Sequence, residues 1–490
     1  MKTPFVIPNE VSRITEALKN AGFETYLIGG CVRDLFLGRK PQDWDVTTNA
    51  KPDEIVELFP KTFYENEYGT VGVVSEETTD ETLRIIEVTP YRTEGVYTDR
   101  RRPDKVSFNA TLEDDLKRRD FTINAIALDI EKNLVVDPFN GRKDIQNGVI
   151  RTVGSPNERF GEDGLRLLRA IRIQAELGFE IESQTERAIA ENAHLLDEIA
   201  KERIRDEFIR VLESADPVRG LSVAQKLGIL DYIAPIFRKT TGIKQNKAHS
   251  YDVWTHLLKS LEHAVKKKYP LHVKLAALFH DISKPESRRW SEEKRDWTFY
   301  GHEVMGERVT RETLKDLKFP KETIESVAKL VRWHMFFSDT EKITHSAVRR
   351  LVAHVGKESI WDLIDLRTSD RIGTGRPKES PYRLRKYKAM IDEVLSDPVS
   401  VSMLKVDGAK IMEIAGLSPG PKIGYILHAL LEEVLENPSL NTETKLEKMA
   451  KKLACLADEE LRRLGEEGKL TREKKELEKI RKIRQKHWVE

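Results

Sequence analysis

The chain has very few cysteines and no long apolar segment, and both absences narrow its class. Its 490 residues include two cysteines, Cys31 and Cys455, which lie far apart in the sequence. That is too few for a disulfide framework and favours a reducing compartment. No apolar run approaches the roughly 18–20 residues that cross a membrane, and the first residues lack the apolar stretch of a signal peptide. We therefore expect a cytoplasmic protein that does not associate with membranes.

The chain also lacks an excess of charge of either sign. It carries 83 basic and 82 acidic residues, for a formal net charge of +1. A chain so balanced has no global field that attracts nucleic acid, so any such binding must use local basic patches. At this length a single core does not suffice, and two to four domains are expected.

Strand and helix signals divide the chain into two parts. Up to about residue 150, strand-like apolar runs alternate with glycine and proline, whereas helical periodicity prevails from about residue 155. The pattern predicts an α/β head followed by an all-α body. We expect a head over residues 1–150, a helical neck over 151–245, a helical domain over 246–375 and a helical tail over 376–490.

Two glycines and two aspartates form the most informative pattern of the head. Gly29 and Gly30 follow a strand-like run and precede a short helix, and Asp43 and Asp45 follow on a second predicted strand. Residues two apart on a strand point to one face, and a carboxylate pair suits Mg²⁺ together with substrate phosphates. The glycines let the backbone approach a ligand, and the helix start offers N–H groups to an anion. Taken alone, the glycine pair is a common turn, and the aspartate pair is more often a solvated strand end. Together, in this order and spacing, the two pairs predict nucleotidyl transfer.

These residues resemble a known signature. The run GGCVRD at 29–34 and the run DWD at 43–45 are similar to the N-terminal motifs of the tRNA nucleotidyltransferase and bacterial poly(A) polymerase superfamily. That superfamily is a branch of the DNA polymerase beta-like transferases, and the form GGxVRD is typical of its CCA-adding side. The resemblance implies a mixed polymerase beta-like sheet, Mg²⁺ on Asp43 and Asp45, and Arg33 in the nucleotide pocket.

Further head residues extend the resemblance. Glu87, on the strand-like run 84–88, is our candidate for a third acid beside the metal, although a polar residue alternating out of a half-buried strand explains it equally well. The run 118–125 matches the family's RRDxxxNA motif, in which Arg119 would neutralise triphosphate or bond the ribose and Asn124 would bridge to backbone or sugar. Alone, that run would read as a charged helix N-terminus. The segment Thr89–Pro103 matches a flexible family loop at full length, which favours complete CCA synthesis.

The run 162–172 predicts an amphipathic helix. Leu167, Leu168, Ile171 and Ala175 share one side at 100° per residue, while Arg166 and Arg169 lie opposite. The common interpretation of such a pattern is a helix with a solvated basic face.

A sharper interpretation concerns base choice. Asp163 and Arg166 are three residues apart and can meet on one helix face. A carboxylate that accepts beside a guanidinium that donates complements the pairing edges of C and A and clashes with those of U and G. The run resembles the EDxxR motif of class II CCA-adding enzymes, in which these two residues act as the template. Arg169 and Arg172 also match family positions, and Arg172 would contact phosphate, ribose or another protein group.

The body contains a second pattern. His256, the pair His280-Asp281 and Asp370 have the order H…HD…D and resemble the HD phosphohydrolase superfamily. Histidines and carboxylates of this kind can hold a divalent metal, and His302 and His334 could add ligands. An inactive helical scaffold is the alternative.

The resemblance implies template-independent addition of CCA to the 3′ end of tRNA from CTP and ATP, with Mg²⁺ as cofactor. The partners would be tRNA and the two nucleotides, without DNA, and the oligomeric state is not indicated. The rivals are a poly(A) polymerase or a partial CC- or A-adding enzyme, an HD phosphohydrolase with a nucleotide-binding head, and an RNA-binding scaffold.

Overall fold

The computed structural model describes residues 5–65, 69–94, 106–247, 249–336 and 343–462. It forms two compact units: Met1–Lys239 with Thr313–Pro320, and Thr240–Glu312 with Lys321–Glu490. Within the described ranges, no helix is long and apolar enough to cross a membrane. Residues 95–103 of the predicted flexible loop lie outside the described residues.

A seven-stranded mixed sheet forms the core of the first unit. Its strand order is β3-β4-β5-β2-β1-β8-β9, and only the β2–β5 pair is parallel. The α/β head predicted from the sequence is therefore confirmed. The strands of the unit are β1 (Thr25–Ile28), β2 (Asp45–Thr48), β3 (Thr62–Tyr64), β4 (Val71–Val74), β5 (Ile85–Pro90), β6 (Thr93–Glu94), β7 (Val106–Ser107), β8 (Ala127–Asp129), β9 (Leu134–Val136), β10 (Val149–Ile150) and β11 (Glu180–Ile181).

Helices cover the sheet and continue beyond it. The first unit has α1 (Asn9–Asn20), α2 (Gly30–Phe36), α3 (Pro52–Leu58), α4 (Leu112–Lys117), α5 (Gly141–Asn147), α6 (Pro156–Glu162), α7 (Leu165–Leu177), α8 (Ser183–Asn192), α9 (Lys201–Glu213), α10 (Pro217–Lys226) and α11 (Leu230–Ile233). Helix α7 ends at Leu177 and is followed by Gly178, whose left-handed backbone is a common helix terminator. It packs against α9 and α10, and its side chains Leu167, Leu168 and Ile171 are buried, as the periodicity predicts.

The second unit is mainly helical. Its helices are α12 (Val253–Lys266), α13 (Leu271–Phe279), α14 (Lys284–Ser287), α15 (His302–Asp316, whose last four residues belong to the first unit), α16 (Lys321–Trp333), α17 (His345–Val355), α18 (Ile360–Gly373), α19 (Tyr382–Val394), α20 (Gly408–Ala415), α21 (Pro421–Glu436), α22 (Glu443–Ala454) and α23 (Asp458–Arg462). The helical body predicted from the sequence is therefore confirmed, and it also contains a short antiparallel hairpin of β12 (Arg289–Ser291) and β13 (Asp296–Thr298) that the sequence did not indicate. The two strands are three residues each and mostly charged or polar, so they lack the apolar run that indicates a strand.

Helices α12 and α18 approach each other closely because of a glycine. A Cβ added at Gly373 would lie 2.1 Å from Ser260 Oγ and 2.9 Å from the carbonyl oxygen of His256. Leu257, Leu261, Leu363 and Leu366 are buried on these helices. The close approach brings Asp370 on α18 to His256 on α12.

Candidate active sites

The acids of the head meet at the start of β2. Asp45 is the first residue of that strand and lies opposite Glu87 of β5 in the parallel register. Asp43 is exposed in the bend before the strand, so the prediction that Asp43 and Asp45 share a strand face is wrong in detail. The charges of both Asp43 and Asp45 nevertheless act on Glu87, which places all three carboxylates in one electrostatic cluster.

Asp45 and Glu87 bind protons more tightly than isolated carboxylates do. Burial raises the pKa of Asp45 to about 6, against the opposing charge of Arg119. Partial loss of hydration beside the other acids and then the charge of Asp45 raise the pKa of Glu87 to about 7. Crowded carboxylates of this kind are stabilised by a cation, and their oxygens are the ligands that Mg²⁺ prefers. The residues present therefore fit a divalent metal.

These pKa values predict how metal binding depends on pH. Because the pKa values of Asp45 and Glu87 are raised, the folded metal-free chain holds protons that the unfolded chain releases, and the free energy of unfolding should fall as pH rises from about 4 to about 7. Metal must displace those protons, so Mg²⁺ affinity should increase about tenfold or more between pH 5.5 and pH 8. Titration calorimetry at both pH values checks this, with Glu87→Gln as the variant that should flatten the dependence. Equal affinity at the two pH values would contradict it.

The backbone of Gly29 passes close to Asp45 and Arg119. Its backbone has φ +79°, and an added Cβ would lie 3.0 Å from Asp45 Oδ2 and 3.2 Å from Arg119 Nη1. Only glycine fits this conformation without strain. Helix α2 begins at Gly30, directly after this turn. The sequence order strand, glycine turn, helix and strand is therefore present as predicted.

The RRD run supplies cations to this site. Arg119 donates to Asp115 at 3.3 Å and lies beside Asp45, whose pKa its charge lowers. Arg118 donates to Asp115 at 2.8 Å through Nε and caps the C-terminus of α4. A helix C-terminus favours a cation, so the alternative interpretation as a helix N-terminus is wrong. Asp115 is fully buried and was not singled out from the sequence.

Asn124 links the glycine turn to the RRD run. Its Oδ1 accepts from Arg33 Nη1 at 3.0 Å, and its Nδ2 donates to Asp120 Oδ1 at 3.1 Å. Arg33 also donates to Asp34 at 2.9 Å. The structure thus brings Arg33, Arg119 and Asn124 to the same side of the head as Gly29 and Asp45, and gives Asn124 a bridging contact to side chains.

Asp163 and Arg166 do not lie on one helix face, contrary to the prediction. Asp163 follows the end of α6, and α7 begins two residues later at Leu165. The Asp163 carboxylate accepts from the Leu165 N–H at 3.0 Å and from Arg203 at 2.9 Å. The short side chain of Asp163 bonds a backbone N–H at the start of α7, and this bond favours the end of α6 over its continuation.

Arg166 is buried rather than part of a solvated basic face. It donates to the carbonyl oxygens of Arg159 at 2.8 Å and Arg118 at 3.2 Å, and pairs with the carboxylate of Glu162. These contacts join α7 to α6 and to the RRD run. The interpretation of the helix as having a solvated basic face is therefore wrong at Arg166.

Glu207 organises the other two arginines of α7. Arg172 donates to Glu207 at 2.7 Å and to Glu176 at 3.0 Å, while Arg169 lies 3.6 Å from both Glu207 and Asp120. Neither Arg203 nor Glu207 was singled out from the sequence. The sequence signal that could have indicated them is the run 201–208. Its charged residues Arg203 and Glu207 are four apart and lie on the face of α9 that packs against α7.

The H…HD…D residues of the second unit form a buried cluster. His256 Nε2 lies 2.9 Å from His280 Nε2, 3.1 Å from Asp281 Oδ2 and 3.3 Å from Asp370 Oδ1. A second group adjoins it, with Asp281 Oδ1 lying 3.1 Å from His302 Nε2 and 3.5 Å from His334 Nε2. In each group the possible ligand atoms lie within 4.8 Å of one another. Asp281 thus directs one oxygen to each group.

Backbone contacts orient three of these histidines toward the cluster. The Nδ1 atoms of His280, His302 and His334 lie 2.9, 2.6 and 2.7 Å from the carbonyl oxygens of residues three positions earlier. A donor role for Nδ1 leaves Nε2 as the atom that can bind a metal. Nitrogens and carboxylates converging in this way fit a divalent metal with mixed nitrogen and oxygen ligands.

The charges of the cluster are strongly coupled. Burial would lower the pKa of His280, but the carboxylates of Asp281 and Asp370 raise it to about 9. Against the effect of burial, Lys284 and His280 hold the pKa of Asp281 well below its usual range. Lys284 donates to Asp281 at 2.6 Å and was not singled out from the sequence. These buried nitrogens and carboxylates are the groups that would hold a divalent metal.

Three family models match successive parts of the chain. The poly A polymerase head domain matches residues 25–151, a probable RNA- and SrmB-binding site of polymerase A matches residues 178–240, and the HD domain matches residues 247–388. Together with the mixed sheet and its acidic cluster, they define a nucleotidyltransferase with a polymerase-type head and a helical body.

The relatives are more specific. A CCA-adding enzyme of Ligilactobacillus salivarius is 33% identical over 454 residues, which cover 91% of this chain and 98% of that enzyme. A CCA-adding enzyme of a Geobacillus species is 45% identical over 239 residues, or 49% of this chain and 56% of that enzyme. The crystal structure of the Bacillus stearothermophilus CCA-adding enzyme in complex with CTP is 28% identical with a TM-score of 0.64, covering 92% of this chain and 98% of that one. The chain belongs to the family of CCA-adding enzymes.

Proposed function

We propose that this chain adds C, C and A to the 3′ end of tRNA from CTP and ATP and releases pyrophosphate. The observation that carries the proposal is the cluster of Asp43, Asp45 and Glu87 beside Gly29 and Arg119 in the head of a CCA-adding family member. Incubation with tRNA that ends before CCA, with each nucleotide singly and together, followed by sequencing of the 3′ ends, tests it. Long A tails, or additions that stop at CC, would instead favour the poly(A) polymerase or the partial enzyme. We place the reaction in the cytoplasm.

The residues of the head bind and orient the reactants. The 3′-hydroxyl of the RNA attacks the α-phosphorus of the nucleotide and the bond to pyrophosphate breaks, so the protein must align two anions and neutralise their charge. Asp43 and Asp45, with Glu87 as the third acid, would hold Mg²⁺, which supplies electrophilic activation of the phosphate when it is bound. Arg119 would offer an always-charged guanidinium to the triphosphate. Arg33, which lies beside Gly30 and donates to Asn124, would help to hold the nucleotide at the glycine turn.

Base choice would depend on Asp163 and Arg166. Arg203 holds the Asp163 carboxylate, and Glu162 with two carbonyl oxygens holds Arg166, so both side chains are restrained before a base arrives. Restrained polar groups reject a base whose donors and acceptors do not match, because a mismatch leaves buried groups unpaired. Arg169 and Arg172, fixed by Glu207, would act on phosphate or ribose or maintain α7.

We predict that Asp163→Ala raises the incorporation of UTP and GTP relative to CTP and ATP by about tenfold to a hundredfold. Loss of one member of a base-edge contact costs about 1–3 kcal/mol of discrimination. The measurement is the ratio of kcat/KM values for the four nucleotides, with Glu186→Ala on the surface of α8 as the matched control. Arg203→Lys should cause a smaller loss of selectivity, because its ammonium keeps the charge but loses the fork. Slower addition at unchanged nucleotide preference would refute a templating role.

A second activity is favoured by the cluster in the second unit. We propose that His256, His280, Asp281 and Asp370 bind one divalent metal and that Asp281, His302 and His334 bind another. Such a site would hydrolyse a phosphate ester, and the cations Lys284 and Arg367 beside it suit an anionic substrate. A metal-dependent assay with phosphomonoesters and phosphodiesters tests this, and a chain that binds no metal would exclude it.

We further propose that the chain divides into a head over 1–150, a neck over 151–245, an HD-type domain over 246–375 and a tail over 376–490. The three family-model matches and the boundary of the compact units near residue 240 support the first three divisions. Limited proteolysis with mass spectrometry tests the four boundaries.

A further inference from the structure

The hairpin of β12 and β13 presents aromatic rings at the surface of the second unit. Trp290 is 48% exposed and Tyr300 is 49% exposed. The rings of Trp290 and Trp297 meet edge to face with centroids 5.3 Å apart, so Trp297 supports the exposed ring. Large aromatic rings held at a surface in this way are typical of binding sites.

Cations accompany these rings. The Arg288 guanidinium lies over the Trp297 ring, with Cζ 3.5 Å from the ring centroid. Within the described ranges, the Arg288 Nε–H is buried without a hydrogen-bond partner. Lys294 Nζ donates to the Tyr300 hydroxyl at 2.9 Å. Stacking on the ring fixes the plane of this guanidinium, and one of its N–H donors lacks a partner among the described residues, so the group can bind an anion. The oxygens of a phosphate match the forked arrangement of guanidinium donors.

Both ends of the hairpin are fixed to the metal-ligand cluster of the same unit. Arg288 follows Lys284 by one turn of helix, a rise of about 6 Å, and Lys284 donates to Asp281 at 2.6 Å. At the other end, His302 Nδ1 lies 2.6 Å from the carbonyl oxygen of Phe299, the residue before Tyr300. The Lys284 Nζ also lies 5.5 Å from the centroid of the Phe299 ring, which ties the two ends together. The rings of Trp290, Trp297 and Tyr300, which we call the aromatic platform, are therefore connected through these contacts to the metal-ligand cluster.

We propose that this hairpin binds a nucleotide, with its base stacked on Trp290 and its phosphate at Arg288, and presents the phosphate ester to the HD-type cluster. The presentation step rests on the hydrolytic activity proposed above, but the binding does not. In that hydrolysis, water adds its oxygen to phosphorus, the ester P–O bond breaks, and the released sugar hydroxyl takes up a proton. Since every base has an aromatic face, the platform should select nucleotides over phosphate esters without a base, with little choice among bases.

The test compares a nucleotide with its counterpart that lacks a base. Adenosine 3′-monophosphate and ribose 3-phosphate are titrated into the full chain loaded with Mn²⁺, and binding is measured by calorimetry. Trp290→Ala should weaken binding of the nucleotide about tenfold to a hundredfold and leave ribose phosphate unchanged. Arg288→Leu should weaken both ligands. Trp361→Ala, which removes another exposed tryptophan of the same unit, is the matched control and should change neither.

The outcomes separate this proposal from the hydrolytic activity. An unchanged nucleotide affinity in Trp290→Ala, with its thermal midpoint preserved, would overturn the platform, as would equal binding of the two ligands by the unmodified chain. Hydrolysis that proceeds equally well with and without a base would also overturn it while upholding the HD-type activity. Conversely, a loss of nucleotide affinity in Trp290→Ala in a chain that hydrolyses no ester would support the platform and refute only the hydrolysis.

Discussion

Replacement of Asp45 by asparagine is expected to reduce the addition of both C and A by about a thousandfold or more. Asp45 lies at the start of β2, opposite Glu87 and against the glycine turn. Its carboxylate is therefore placed to bind a metal together with the neighbouring acids. Loss of metal activation costs several kcal/mol of transition-state stabilisation, and each 1.36 kcal/mol is tenfold in rate. Single-turnover extension of tRNA that lacks CCA, with CTP or ATP alone, measures both losses. Equal losses are expected because metal binding precedes base choice.

A stability measurement separates this loss from misfolding. The raised pKa of Asp45 shows that its charge is unfavourable in the folded metal-free chain, so Asp45→Asn should unfold at an equal or higher temperature at pH 8. Asp43→Ala should also abolish addition, whereas Glu77→Gln, an exposed carboxylate of the same unit, should not. Robust turnover by Asp45→Asn in Mg²⁺ would locate the chemistry elsewhere.

The sequence predicted the head well because its signals are local. The order of strand, glycine turn, helix and strand depends on neighbouring residues, and β1, Gly29, α2 and β2 follow it. The spacing of Asp43 and Asp45 was interpreted as a strand alternation, but the strand begins only at Asp45. Element ends depend on tertiary hydrogen bonds, such as that from Glu87 N to the Trp44 carbonyl oxygen, which no local pattern contains.

The contacts of Asp163 show where sequence reasoning ends. Three-residue spacing predicts a shared helix face only if the helix is continuous, and here α6 ends before Asp163 and α7 begins after Gly164. The partner Arg203 is 40 residues away, so the pair depends on the packing of α9 against α7. Likewise, the order H…HD…D predicted the cluster of the second unit, but the inward orientation of its Nε2 atoms depends on backbone carbonyl oxygens that the order does not reveal.

That orientation underlies the second large effect. His280→Asn is expected to lower the affinity of the second unit for a divalent metal by a hundredfold or more and to abolish any metal-dependent ester hydrolysis. His280 is fully buried, and its Nε2 lies 2.9 Å from that of His256. Even removing a group that merely orients a metal ligand costs 10–100-fold in affinity, so loss of the ligand itself should cost at least as much. The variant His280→Asn keeps the ion pair between Lys284 and Asp281. Replacing Asp281 instead would leave the buried charge of Lys284 unpaired, which would destabilise the fold.

The control for this variant is a histidine outside the cluster. His272, paired with Asp362 at 2.8 Å and partly exposed, can be replaced by asparagine without touching any proposed ligand. His272→Asn should retain metal binding and hydrolysis, and both variants should add CCA at the unmodified rate, because the residues assigned to nucleotide transfer all lie in the first unit. Metal content by mass spectrometry, hydrolysis and tRNA extension are measured on the same preparations. If His280→Asn loses CCA addition while its unfolding temperature is preserved, the cluster belongs to the transferase, and the two activities are not independent.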